Sequence, residues 1–269
     1  MPTLPAALLL IACARAPAAT PTADETPTAP EPAAAEATTV RAAFPPPAGA
    51  ARVAGDAFGE SLGALRLAPA ADPVLTYDGR PTHHHARVIA LPLVPGDLQQ
   101  CADSALRVRA EWQRAKGLPV TMFATSGDPM PWSRWQAGER FTAAGNKLVW
   151  RGGGAKGDTD ESWERYLAAA FTYAGTLSLQ HYETTPATDP RPGDVLVVGG
   201  SPGHAVLILE VAKAPDGRVW LLIGEGYMPA QSFHVELGPE DGWWLWDAVD
   251  GLRLSHWHLP GSSLRRFKG

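Results

Sequence analysis

Three residues of this chain could carry covalent chemistry together: Cys101, His204 and Glu225. Cys101 lies in "VPGDLQQCADSALRVRAEW", where Gly96 ends one segment and an apolar stripe at helical spacing begins. A cysteine in the first turn of a helix meets backbone N–H groups with no intrahelical partner and the positive end of the helix dipole, which favour the thiolate over the thiol. His204 follows a Gly and Pro turn in "GGSPGHAVLILEV" and opens a strand; Glu225 closes the next in "VWLLIGEGY". Antiparallel pairing through the "APDG" turn brings His204 and Glu225 together, where a carboxylate can orient an imidazole. The expected chemistry is attack by a thiol on an acyl carbon, with the histidine as base and then acid, and a thiol pKa lowered by the helix and His204. Taken alone, a cysteine on an apolar helix face also reads as a core residue.

The elements that must position these residues follow from the pattern. "HARVIALPLV" predicts a strand, His85 to Val94, and Asp97 is the expected N-cap of the cysteine helix, whose inner face holds Leu98, Cys101, Ala102, Ala105, Leu106 and Trp112. "PVTMFATSGDP" predicts a strand and turn, with Thr125 and Ser126 as cleft hydroxyls or turn caps, and "NKLVWR" a further strand. "TDESWERYLAAAFTYAG" predicts a helix with Trp163, Tyr166, Leu167, Ala170, Phe171 and Ala174 on one face. From Pro192 on, "PGDVLVVGG", "GHAVLILEVAK", "GRVWLLIGEGY", "SFHVEL" and "GLRLSHWHL" read as strands. Helices first and an antiparallel sheet after give an α+β domain.

The catalytic elements "QQCAD" and "RPGDVLVVGGSPGHAVLILEVAKAPDGRVWLLIGEG" resemble those of the cysteine, histidine-dependent amidohydrolase/peptidase (CHAP) family and its NlpC-type relatives. The resemblance implies a papain-like fold, with the catalytic helix packed on an antiparallel sheet and a strand-turn-helix insertion between the cysteine and histidine blocks. It implies Cys101 as nucleophile, His204 as base and acid, Glu225 as orienting group, and Gln100 or Gln99 as oxyanion donor beside the Cys101 N–H. His85, upstream of the cysteine helix, is a further cleft candidate. Cell-wall peptide is the implied substrate and no cofactor is implied. "YDGRP", "LQQCADSALRVRAEW", "TSG", "YAGTLSL", "GSPGHAV" and "YMPAQ" also resemble a family of bacterial lipoproteins known as a domain of unknown function (4846), over nearly all of Phe58 to Val235.

The amino terminus supplies an address. "MPTLPAALLLIACARAP" is too short to span a bilayer but has the shape of a secretory apolar segment, and "LIAC" resembles a bacterial lipobox, which implies cleavage before Cys13 and its lipidation. Residues 14 to 39, rich in Ala, Pro and Thr, cannot bury enough apolar surface to form a core. The expected organisation is a signal peptide over 1–12, a lipidated, disordered tether over 13–43 and a folded domain over 44–269. The expected location is the outside of the cell, on the envelope and its outer membrane, with the membrane as partner through the lipid. Net charge −5 and no basic block exclude a phosphate-binding surface of the nucleic-acid kind.

Two further features compete. His83 and His85 of the run His83 to His85 would share a strand face, but no acidic or cysteine ligand is near in sequence, so no metal is assigned. Ten tryptophans, five of them in "PWSRW" and "GWWLW", read as core or lid residues.

Overall fold

A computed structural model describes residues 38–82 and 86–269. Cys13, most of the tether and His83, His84 and His85 lie outside the described residues. The first described element is the short helix Val40–Ala43, whose Val40 is fully buried.

The domain is α+β and dominated by one nine-stranded sheet, in which every pairing is antiparallel. Its path runs Ala86–Val88, His234–Glu236, Val219–Glu225, His204–Lys213, Val195–Val198, Leu264–Phe267, Thr184–Pro186. Ala51–Arg52 also pairs with His204–Lys213, and Trp244–Trp246 with Val219–Glu225. The two central strands are joined at Ala214–Gly217, where Gly217 takes a positive φ and donates to Ala214 O at 3.0 Å. That is the turn the Pro-Asp-Gly sequence predicts.

Both faces of the central strands are covered. Ala205, Leu207 and Leu209 point to the core under the helices, while Val206 and Ile208 point to a second cluster closed by Trp246, Leu252 and Leu259. This explains why "GHAVLILEV" is continuously apolar instead of alternating. The helix Cys101–Ala115 packs on His204–Lys213 and Val219–Glu225, with Ala102, Ala105 and Leu106 inward. Between it and the sheet strands lies the insertion: hairpins Thr121–Phe123 with Pro129–Pro131 and Arg140–Ala144 with Lys147–Arg151, then the helix Asp160–Phe171, capped by Thr159. Trp132, Trp135, Trp163 and Tyr166 fill it, with Trp132 and Trp163 ring centres 5.1 Å apart and the Tyr166 hydroxyl donating to Met130 O at 2.6 Å. These tryptophans are core. No described helix is long and apolar enough to cross a membrane.

Three expectations need correction. Of the strand expected over His85 to Val94, the described residues form only Ala86–Val88, because Pro92 and Pro95 cannot donate to a ladder and Ile89 makes only an isolated bridge, to Leu67. The cysteine helix is capped by Gln100, not Asp97; the Gln100 N–H donates to the Asp103 carboxylate at 3.2 Å, which makes Cys101 the first helical residue. "GLRLSHWHL" is not one strand but a hairpin of Leu252–Arg253 and His258–Leu259, whose loop carries His256 and Trp257.

Candidate active site

Cys101, His204, Gln100 and Asp103 line one pocket of about 520 Å³, with Thr125, the Gly175–Leu177 turn, Gly200–Gly203, Tyr227, Met228 and Trp257 forming its other walls. The half-buried Cys101 thiol is held by the backbone N–H groups of Ala102 and of Ala205, the residue that follows His204. Two glycines permit this approach. A Cβ on Gly226 would collide with Ser104 Oγ on the cysteine helix, and a Cβ on Gly203 would collide with Thr176 Oγ1. The Gly-His and Glu-Gly pairs of the sequence are thus space requirements of the site.

A strand irregularity sets the histidine and the glutamate on one face. Leu221 opposes Val211 and Leu222 opposes Glu210, but Ile223 opposes Ile208 and Gly224 opposes Leu207. One residue is therefore extra on the histidine strand, a bulge at Leu209. Continuing one step puts Glu225 across from Val206, two residues from His204 and on the same side; an unbroken register would have sent it to the opposite side.

The result is a buried polar knot. His204 Nε2 lies 2.6 Å from Glu225 Oε1, and His256 Nε2 lies 2.7 Å from the same oxygen. His204 is 2 % exposed and Glu225 0 %. The His204 contact is close but too bent for a straight hydrogen bond, whereas that of His256 is well formed. Trp257 and Tyr227 flank the His204 ring at 5.3 and 5.5 Å between centres. Burial pushes the Glu225 carboxyl up, but the two imidazoles outweigh it and hold the group down at about 2. His256 is pushed up, chiefly by its bond to Glu225.

The thiol departs from expectation. Burial pushes Cys101 up to about 11, helped by the nearby Asp103 carboxylate, and the N–H groups of Ala205 and Ala102 only partly offset this. The helix start lies at the pocket floor among low-dielectric neighbours, so desolvation outweighs the helix end. Asp103, buried and pushed up to about 7 by desolvation, is part of that floor. A thiol in this setting rests protonated near neutral pH.

Of the other site expectations, Gln99 is not in the pocket. Its side chain is fully buried, with Oε1 accepting from Arg107 Nη1 at 2.5 Å and from Val94 N at 3.3 Å, so it is a structural clamp. Gln100 does line the pocket, its amide Nε2 donating to Asp97 Oδ1 at 3.2 Å. Asp97 in turn accepts from Ala230 N at 2.7 Å, tying the helix entrance to the segment after Glu225. Thr125 reaches the pocket, whereas Ser126 caps its turn through Asp128. His256 and Trp257 were not singled out from sequence; the clue was the His-Trp-His triplet, which reads as strand alternation until the hairpin is known.

No curated protein and no solved structure matches the chain. A family model described as a domain of unknown function (4846) matches residues 40–266, nearly the whole described domain. The chain therefore belongs to the family of that domain of unknown function.

Proposed function

We propose that the domain is a papain-like cysteine amidohydrolase or peptidase of the bacterial cell envelope, acting on an amide bond of a peptidoglycan stem peptide. The observation that carries this reading is the shared pocket in which Cys101 opens a helix, the N–H of Ala205 meets its sulfur, and Glu225 buttresses His204 from behind. His204 Nε2 faces Glu225, so Nδ1 is the ring nitrogen available to the thiol. In the reaction, His204 takes the Cys101 proton as sulfur attacks the carbonyl carbon. The oxyanion receives the Cys101 N–H and the Gln100 amide. Collapse breaks the C–N bond, His204 returns the proton to the departing amine, and water then hydrolyses the thioester.

Lipidation of Cys13 would tether the domain by the Ala/Pro/Thr segment to the envelope, within reach of the cell wall. The thiol at about 11 favours a second reading, an envelope lipoprotein that uses the same pocket to bind and not to cleave.

The test measures hydrolysis of stem peptides together with alkylation of Cys101 across pH. Under the hydrolase reading, Cys101→Ala abolishes cleavage and His204→Ala slows alkylation at least tenfold at pH 7 to 8. A folded protein that binds stem peptide without thiol-dependent cleavage, and whose alkylation ignores His204→Ala, establishes the binding reading instead.

A further inference from the structure

A second group of ligand-type side chains meets Glu225 from the strand beside it. Strand His234–Glu236 pairs with the glutamate strand, Glu225 directly opposite His234. His234 and Glu236, two residues apart, share a face, and Glu225 shares it with them. One nitrogen or oxygen from each of the three lies within 4.8 Å of the others, and all three residues are buried.

The details suit a cation. His234 Nδ1 lies 2.8 Å from the carbonyl oxygen of Ser232, which can only accept, so Nδ1 carries the hydrogen. The other ring nitrogen, Nε2, lies 3.6 Å from Glu236 Oε2. A backbone carbonyl that fixes the outer nitrogen is how proteins set the tautomer of a metal-bound imidazole. Glu225 Oε1 is occupied by His204 and His256, while its Oε2 is fully buried and has no hydrogen-bond donor among the described residues. Two carboxylates and an imidazole nitrogen gathered within 4.8 Å of one another, all on buried residues, are a donor set of the kind that holds a divalent cation.

We propose that Glu225, His234 and Glu236 bind one divalent transition-metal ion of the zinc class. The ion takes Glu225 Oε2 and leaves Oε1 to His204, so metal and thiol chemistry share a carboxylate without sharing an oxygen. The proposal does not depend on the hydrolase reading, and it assigns a metal where the sequence alone assigned none. The 11 % exposed Glu236 side chain offers the route of entry.

The experiment uses chelator-stripped, untagged protein titrated with zinc chloride, read by calorimetry and elemental analysis. One zinc per chain is expected, with a raised melting temperature. Glu236→Gln and His234→Gln should each weaken binding at least tenfold, with the circular dichroism of the wild type. Cys101→Ser should bind zinc as the wild type does. Should the cluster variants misfold, X-ray absorption of zinc-loaded wild type decides: a shell of oxygen and nitrogen with an imidazole supports the site, and a sulfur ligand overturns it. Absence of stoichiometric zinc, undiminished binding by Glu236→Gln, or loss only on replacing His83, His84 and His85 also overturns it.

Discussion

Two fully buried glutamates stand in the adjacent central strands, and they are neutralised in different currencies. Glu210 meets Arg41 Nε at 2.7 Å and Arg52 Nη1 at 3.2 Å. Glu225 meets His204 at 2.6 Å and His256 at 2.7 Å. A guanidinium keeps its charge at any physiological pH, so the Glu210 cluster is a fixed clamp between the sheet and the Val40–Ala43 region. Glu225 faces imidazoles instead of guanidiniums, and under the proposed hydrolase reading these are the groups that exchange protons with a substrate. The same acid on neighbouring strands faces fixed cations at one end and imidazoles at the other, and the proposed function makes the second pair the chemical one.

The largest expected effect separates the two acids directly. Glu225→Gln replaces an acceptor with an amide that orients His204 wrongly, and should slow cleavage by on the order of a thousandfold, as loss of an orienting carboxylate does. Glu210→Gln should leave the rate within about twofold of the wild type. Equal losses in both variants, measured as kcat/KM on a stem peptide, would erase the functional distinction.

The neighbouring glutamines sharpen the same contrast between chemistry and clamp. Gln100→Ala removes one oxyanion donor while the Cys101 N–H remains, and should cost about tenfold to a hundredfold in kcat. Gln99→Ala should act on stability instead, by about 1–3 kcal/mol, because it leaves the buried Arg107 short of an acceptor. Urea unfolding beside kinetics distinguishes them, and a larger kinetic loss in Gln99→Ala would reverse the assignment.

Stability then tests the Glu210 clamp. Breaking a fully buried ion pair costs about 3–5 kcal/mol, but Arg41 and Arg52 are 41 % and 22 % exposed and can rehydrate. Glu210→Gln should therefore cost about 2 kcal/mol, a fall of roughly 4–8 °C in melting temperature for a domain of this size. An unchanged melting temperature would show that the clamp is dispensable.

What could be read from sequence follows from how local each cause is. The helix Asp160–Phe171, the hairpin at Ala214–Gly217 and the apolar central strands are dictated by periodicity and turn residues within a few positions. The Cys101, His204 and Glu225 blocks stood out because each sits at an element end, His204 and Glu225 directly beside glycines and Cys101 a turn after Gly96. Other features depend on distant partners and left no local mark. Gln99 turns inward because Arg107 is there to meet it. His256 reaches Glu225 only because Leu252–Arg253 and His258–Leu259 fold into a hairpin. The raised thiol is likewise a property of the filled pocket floor, which the helix position alone does not reveal.

Asp103 extends the comparison to a buried carboxylate that has, among the described residues, no cation at ion-pair distance. It accepts from the Gln100 N–H at 3.2 Å, its other oxygen is buried with no side-chain or backbone hydrogen bond to it among the described residues, and burial pushes it up to about 7 from an ordinary 3.8. The sign follows from proton uptake. Below about pH 4 both folded and unfolded chains hold this proton. Between about 4 and 7 the unfolded chain has lost it while the folded chain keeps it, so stability falls as pH rises, and the full cost is present above 7. Asp103→Asn removes the titration but leaves an acceptor for Gln100, so the slope with pH, not the absolute level, is the readout. Wild type should lose about 2–3 kcal/mol more than Asp103→Asn between pH 5 and pH 8 in urea unfolding, at about 1.4 kcal/mol per pH unit up to pH 7. The same variant should also speed Cys101 alkylation severalfold at pH 8 to 9, because the Asp103 charge helps hold the thiol protonated. Parallel pH profiles for the two proteins would mean that Asp103 is ionised throughout and that its partner lies elsewhere.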